Sequence, residues 1–213
     1  MRYALACAAM WALTAYCAPA QRKATKEKKP MNGDAVLETK IEAGAGGVSI
    51  RYALVNTGTE PILVFDRMWD NEKGTLDPNW AYVEIRGGRA LVKRMMENPP
   101  TGLRVSEPKV PYGREVAPGA KAEGTVGLPV PLTERGAYDS FTHASKQFGD
   151  SRVTAVGFAI GYAPKPKNLP PAFKPVELNG EKLLLLDRGM VASIQRTAAS
   201  EPAQQSVAAR VKQ

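Results

Sequence analysis

Apolar residues recur at every second position through Val48, Ile50, Tyr52 and Leu54, with Ser49, Arg51 and Ala53 between them. A period of two places one set on one face of a pleated strand, so this stretch predicts a strand with a single buried face. The polar run Asn56-Thr57-Gly58-Thr59-Glu60-Pro61 follows, and the dense apolar run Ile62 to Phe65 comes next. Asn and Gly tolerate positive φ, and Pro cannot donate to a central ladder. Residues 56–61 therefore predict a structural corner or hairpin turn, with Gly58 at positive φ and Glu60 solvated.

The same period marks further strands. Asp34 to Glu42 is a first one, and Trp80 to Arg86 alternates, turns at Gly87-Gly88 and returns through Arg89 to Met96. Arg114 to Val116 leads into a Pro118-Gly119 turn, from which Lys121 to Leu128 departs. In Ser151 to Tyr162, the bulky Val156, Phe158, Ile160 and Tyr162 alternate with Ala155, Gly157, Ala159 and Gly161. Leu54, Val156, Phe158 and Ile160 are expected in the core. Leu183 to Leu186 and Met190 to Arg196 read as the last two strands, with Asp187-Arg188-Gly189 between them. Tyr138, Phe141, Ser145 and Phe148 fall near a helical period that Gly149 would end, which predicts one short helix. The segment from Ala163 to Pro175 holds five prolines, which exclude a helix or central strand and predict a rigid connector or an extended recognition element. Residues 198–213 are polar and Ala-rich and predict a frayed or weakly helical tail. About eight or nine short strands with regular turns predict an all-β fold, an immunoglobulin-like antiparallel β-sandwich with one short helix and Pro-rich loops.

The chain ends of this domain differ in kind. Arg2 precedes an uncharged run from Tyr3 to Tyr16, and Ala18-Pro19-Ala20 is a small-residue cleavage pattern. Residues 1–20 thus read as a cleavable signal peptide, with Gln21 the first mature residue, and imply a periplasmic or extracellular protein with no stable membrane insertion after cleavage. Two other readings stay open: an uncleaved anchor, and a lipoprotein signal at Cys17, for which Tyr16 and Thr14 are poor neighbours. Cys7 and Cys17 are the only cysteines, so cleavage leaves neither a disulfide nor a Cys-based zinc site. The formal charge is +8, but residues 21–30 carry five basic groups against Glu27. Residues 31–213 hold 23 basic and 20 acidic groups, a net of +3. The basicity belongs largely to a flexible linker, residues 21–33, ahead of a near-neutral domain over residues 34–197 and the tail 198–213. A near-neutral body without aromatic-basic strands, in an exported protein, excludes nucleic acid as a partner.

Two of these patterns together resemble bacterial immunoglobulin-like envelope domains. One is the strand ending Leu54-Val55-Asn56, followed by a polar turn and Pro61-Ile62. The other is Val116-Ala117-Pro118-Gly119, followed by the alternating strand to Leu128. They are also similar to the intracellular proteinase-inhibitor type domain. The resemblance spans roughly residues 35–130 and implies an architecture, not an activity, because its motifs are turn chemistry.

Candidate chemistry is sparse. His143 is the only histidine, and no flanking motif supplies the base and orienting group that a nucleophile needs. The loop from Phe65 to Trp80 is the richest segment. Asp66, Asp70 and Asp77 are oxygen donors that could serve calcium, although no EF-hand spacing is present and Arg67 and Lys73 oppose a cation. Trp69 and Trp80 are candidate ligand-binding residues, each with the alternative of closing the core under the loop. The expected function is a non-enzymatic envelope module, without a cofactor, that binds a protein or glycan of the cell envelope. A proteinase inhibitor and a metal-supported hydrolase are the alternatives.

Overall fold

The computed structural model describes residues 34–44, 46–70, 73–99, 101–103, 111–139, 147–171 and 173–213. In chain order the strands are β1 (Ala35–Gly44), β2 (Gly47–Asn56), β3 (Ile62–Arg67), β4 (Trp69–Asp70), β5 (Thr75–Leu76), β6 (Tyr82–Arg86), β7 (Arg89–Arg94) and β8 (Tyr112–Val116). They continue as β9 (Lys121–Leu128), β10 (Leu132–Thr133), β11 (Phe148–Pro164), β12 (Lys174–Leu178) and β13 (Glu181–Leu185). A helix α1 (Arg188–Ile194) precedes β14 (Arg196–Ala199) and β15 (Ala203–Lys212). The all-β class holds.

The strands divide between a three-stranded sheet, β1-β2-β9, a larger branched sheet built on β11, and the small β4-β5 pair. β2 crosses to β3 through residues 57–61, so the polar run is a corner between sheets. The inward residues of β2, Val48, Ile50, Tyr52 and Leu54, are buried together with Val156, Phe158 and Ile160 of β11 in one core. The Tyr52 and Phe158 rings stack across it at 4.9 Å.

β11 explains the branching. It is 17 residues long and pairs with β15 and then β14 along one side, and with β7 and then β3 along the other. Its small-residue positions are not an open face, for everything from Ala155 to Ala163 is buried. A Cβ at Gly161 would crowd Met95 and Gln195, so the small residues admit a second layer. Reciprocal backbone bonds between Val83 and Arg135, 2.8 and 2.9 Å, join β6 to the chain just past β10. The path β6-β7-β11-β15-β10 therefore returns on itself, which removes two exposed edges.

Several expectations need correction. The sheet is mixed rather than antiparallel, since β7 runs parallel to β11 and β10 parallel to β15. Met190 to Arg196 is not a strand: α1 begins at Arg188 because Asp187 caps it, its Oδ1 accepting from Met190 N at 3.0 Å. The helix expected from Tyr138 does not run to Phe148. Tyr138 sits in a turn, Phe148 and Gly149 open β11, and residues 140–146, with His143, lie outside the described residues. Residues 198–213 are not a frayed tail, because β15 pairs with β11 and buries Val207 and Ala209. The Ala-rich composition suggested helix, but a long partner strand overrides that weak preference. Gly58 is not among the residues with positive φ. Asn56 makes the corner instead: its Nδ2 donates to Glu60 O at 2.9 Å and Val116 O at 3.0 Å, and its Oδ1 accepts from Gly58 N at 3.0 Å. The proline-rich segment lends its ends to strands, Pro164 to β11 and Pro175 to the border strand β12, where a missing amide costs least.

Candidate functional site

Where β3 ends, its alternation carries a carboxylate inward. Asp66 follows the apolar run Ile62 to Phe65 and is fully buried. Arg114 of β8 grips it with two bonds, Nε to Oδ1 at 3.1 Å and Nη2 to Oδ2 at 2.6 Å. Tyr52 donates its hydroxyl to Oδ2 at 2.7 Å, and Arg67 Nη1 lies 3.2 Å from the same oxygen. Burying a charge is tolerable only with such a set of partners. Tyr52 reaches Asp66 because its neighbour across the sheet is Gly124, where a Cβ would overlap the tyrosine ring and hydroxyl.

Arg94, the last residue of β7, is the second buried charge, 2 % exposed. It lies at the parity of Ala90 and Val92, so the strand points it into the core. Its Nη1 donates to the Tyr52 hydroxyl at 3.2 Å. The remaining donors take backbone carbonyls: Nε to Trp80 O at 3.0 Å, and Nη2 to Asp77 O at 3.1 Å and Pro78 O at 2.6 Å. The planar fork thus ties the 77–80 segment to the core in a way that a lysine could not.

A third arginine extends the network outward. Arg67 makes a bidentate pair with Glu181, Nε to Oε2 at 2.6 Å and Nη2 to Oε1 at 3.2 Å. Glu181 begins β13 after a tight turn in which Asn179 and Gly180 have φ of 52° and 76°. Asn179 Nδ2 also donates to Thr75 Oγ1 at 3.1 Å, so the β12-β13 hairpin is fastened to the β4-β5 pair. Between the hairpin tip, the 76–78 segment and β9 lies a cleft of about 290 Å³, with Tyr52, Asp66 and Arg94 among its lining residues. Burial, reinforced by the charge of Asp66 and opposed by Arg94, pushes the Tyr52 hydroxyl up to about 12. It therefore stays protonated at neutral pH and serves as a donor rather than a base.

The residues expected to act separate into two groups. Asp70 and Asp77 are brought together, but on Lys73, whose Nζ lies 3.2 Å from Asp70 Oδ2 and 3.0 Å from Asp77 Oδ2. Asp77 Oδ1 also accepts from Asn79 N at 2.7 Å. Asp66 is held apart in the arginine network, and among the described residues no three His, Cys, Asp or Glu side chains group as a metal-ligand set. Trp69, partly buried, meets Tyr112 edge to face with ring centres 6.4 Å apart. Trp80 is also partly buried, its indole covered by the Arg135 guanidinium at 4.3 Å. It packs beside Met68, Tyr82 and Tyr138, a small cluster under the loop.

Sequence reasoning missed Tyr52, Arg67, Arg94, Arg114 and Glu181. A charge at an inward-facing position of an alternating strand was the available signal for Arg94, and an aspartate closing an apolar run was the one for Asp66. The partners of both come from distant strands, which local patterning does not reveal. Compared with known proteins, the chain matches no family model, no curated protein and no solved structure.

Proposed function

We propose that the chain is an exported, non-enzymatic binding module of the cell envelope, an immunoglobulin-like domain whose contact surface is the 65–80 segment and the cleft beside it. The observation that carries the reading is the use of buried charge. Arg94 places three of its four hydrogen bonds on the carbonyls of Asp77, Pro78 and Trp80. The Asp66 network likewise fastens the β12-β13 hairpin through Arg67 and Glu181. The charged groups are engaged with one another and with backbone, and the raised Tyr52 is a hydrogen-bond donor. Such an arrangement holds a loop in one shape before a partner arrives, which lowers the entropic cost of association. Trp69, in β4 rather than on the segment that Arg94 holds and edge-on to Tyr112, is the anchor, since half-buried aromatic residues supply much contact area with little conformational freedom to lose. The immunoglobulin-like description is supported by two sheets sharing one core and by the corner between β2 and β3.

The export part of the reading is tested by intact mass of the protein recovered outside the cytoplasm. A chain beginning at Gln21 is expected, and a species retaining residues 1–20 overturns cleavage. The binding part is tested by a photo-reactive amino acid at position 69 in envelope extract. A discrete crosslinked species is expected at 69 and not at Glu60, and equal labelling at both positions overturns the assignment of the surface.

A further inference from the structure

We propose that the outer face of the wall formed by β6, β7, β11 and β15 is a binding surface for an anionic polysaccharide, gripped by Arg86, Arg89, Arg152 and Arg210. The surface is separate from the one at Trp69 and does not depend on it.

The pleat places these four residues. Ile85 of β6, Ala90 of β7, Val153 of β11 and Ala209 of β15 all lie in the main core. Successive side chains of a strand alternate between faces. Each arginine is next in sequence to one of those core residues, so it turns to the opposite face, and all four are exposed. The register then gathers them. Arg86 stands directly opposite Arg89 across the Gly87-Gly88 turn. Thr154 N donates to Gly88 O at 2.8 Å, which sets the tip of that hairpin beside β11, just past Arg152. Arg152 pairs in turn with Ala208, two residues from Arg210. With neighbouring strands about 5 Å apart, the guanidinium groups form one band across the wall.

Ion pairing and edge protection do not account for the band. Among the described residues Arg89, Arg152 and Arg210 make no ion pair. Arg152 Nη1 donates to Ser206 Oγ at 3.1 Å, and Arg210 lies over the Phe148 ring at 5.5 Å. Arg86 does meet Glu84, Nε to Oε1 at 2.7 Å, yet its side chain stays 84% exposed. The lysines of the same face are already engaged, Lys93 with Glu84 and Glu97, and Lys212 with Asp139. Asp150, opposite Arg210 in register, is the other carboxylate that these strands carry, so the band keeps a net positive charge. Charged residues guard open edges, but Arg89 and Arg210 stand where their strands are paired on both sides. Like charges directly opposite one another destabilise a sheet. A stability cost that the fold does not recover is the mark of a face kept for a ligand.

The chemistry of the band selects that ligand. Guanidinium groups are planar forks that match carboxylate and sulfate oxygens in pairs. A row of them suits a polymer that repeats such groups. Thr154, Gln204 and Ser206 are exposed among the arginines and offer hydroxyl and amide partners to sugar hydroxyls. Phe148 is half-buried under Arg210, and the exposed large hydrophobic residues, Leu169 and Leu185, belong to other segments. A single-stranded nucleic acid binds on aromatic platforms, and a lipid surface takes up apolar side chains. This face presents neither, and an acidic polysaccharide requires neither.

The test is a titration of the full chain with a guluronate hexamer and, separately, with a heparin hexasaccharide, followed through backbone amide resonances. Shifts centred on residues 86–89 and 152–154 are expected, and the tighter ligand assigns the acid group as carboxylate or sulfate. Binding should weaken as salt rises. Arg89→Gln combined with Arg152→Gln should reduce affinity about tenfold. Lys167→Gln combined with Lys174→Gln removes equal charge at exposed positions elsewhere and should change it less than about twofold. Arg89→Gln alone should leave the melting temperature unchanged or raise it, because it removes one of two opposed charges. Trp69→Ala should leave saccharide binding intact. Shifts confined to the basic residues 22–29, equal weakening by the two double variants, or a lower melting temperature for Arg89→Gln overturns the proposal. Tighter binding of a charge-matched single-stranded oligonucleotide, or of phosphatidylglycerol vesicles, gives the band to nucleic acid or to a membrane and overturns it as well. Loss of saccharide binding in Trp69→Ala overturns the separation of the two surfaces.

Discussion

Asn56 is wholly buried at a corner that looks, in sequence, like ordinary turn chemistry. It joins three parts of the chain: the corner through Glu60 O and Gly58 N, β8 through Val116 O, and the turn into β9 through backbone bonds to Ala120 O and from Gly119 N. Asn56→Ala leaves Val116 O buried without its mate and frees the part-buried Glu60 O and Gly58 N, and should cost about 1–3 kcal/mol of stability by urea unfolding. Gly58→Ala should cost little, because a Cβ there meets only Asn56 Oδ1 at 3.4 Å and Asp34 at 3.6 Å. The alternation of β11 made Phe158 legible as core, and it is fully buried against Tyr52. Phe158→Ala should cost about 3–5 kcal/mol in the same assay, and an unchanged midpoint would contradict the facing of β11. The role of Asn56 was not legible, since two of the strands it joins lie some sixty residues further along the chain.

At the scale of elements, a buried guanidinium serves where a loop would otherwise lack regular pairing. Arg94→Lys keeps the charge but not the planar fork, so it cannot reach Asp77 O, Pro78 O and Trp80 O together. Amide hydrogen exchange should accelerate around residues 76–80 while β2 and β11 remain protected, and uniform acceleration would mean that Arg94 supports the whole core instead. Strands with strong period two, β2, β9 and β11, were legible in sequence, as was the β6-β7 hairpin from its Gly-Gly turn. Gly87 and Gly88 do adopt φ of 54° and 72°. Two elements near the C-terminus were not. The Asp187 cap turned an apolar run into α1, and β15 takes its conformation from pairing with β11 more than from its own alanines. The alternation of Val207, Ala209 and Val211 was present in the sequence but outweighed by composition.

Across the whole molecule, stability should fall at alkaline pH. Tyr52 ionises near 10 in an unfolded chain and at about 12 in the fold. Its contribution is complete below pH 10 and is lost as pH rises toward 12, amounting to about 2–3 kcal/mol. Lys93 acts in the same direction. Burial opposes its charge, but its bonds to Glu97 and Glu84 outweigh that and raise its pKa. Chemical denaturation between pH 9 and about 12 should show the decline, and Tyr52→Phe should flatten it. The all-β class was legible from turn spacing alone, whereas the mixed pairing and the ring closed at Val83 and Arg135 depend on contacts that no local pattern encodes. The central claim is that recognition belongs to Trp69 and the braced 77–80 segment and not to the corner at residues 56–61. The measurement that tests it most directly is capture from envelope extract by immobilised wild type, Trp69→Ala and Glu60→Lys, with melting curves confirming that all three are folded. The account predicts that Trp69→Ala loses the captured species and Glu60→Lys keeps it. Loss on changing Glu60 with retention on changing Trp69 would contradict it.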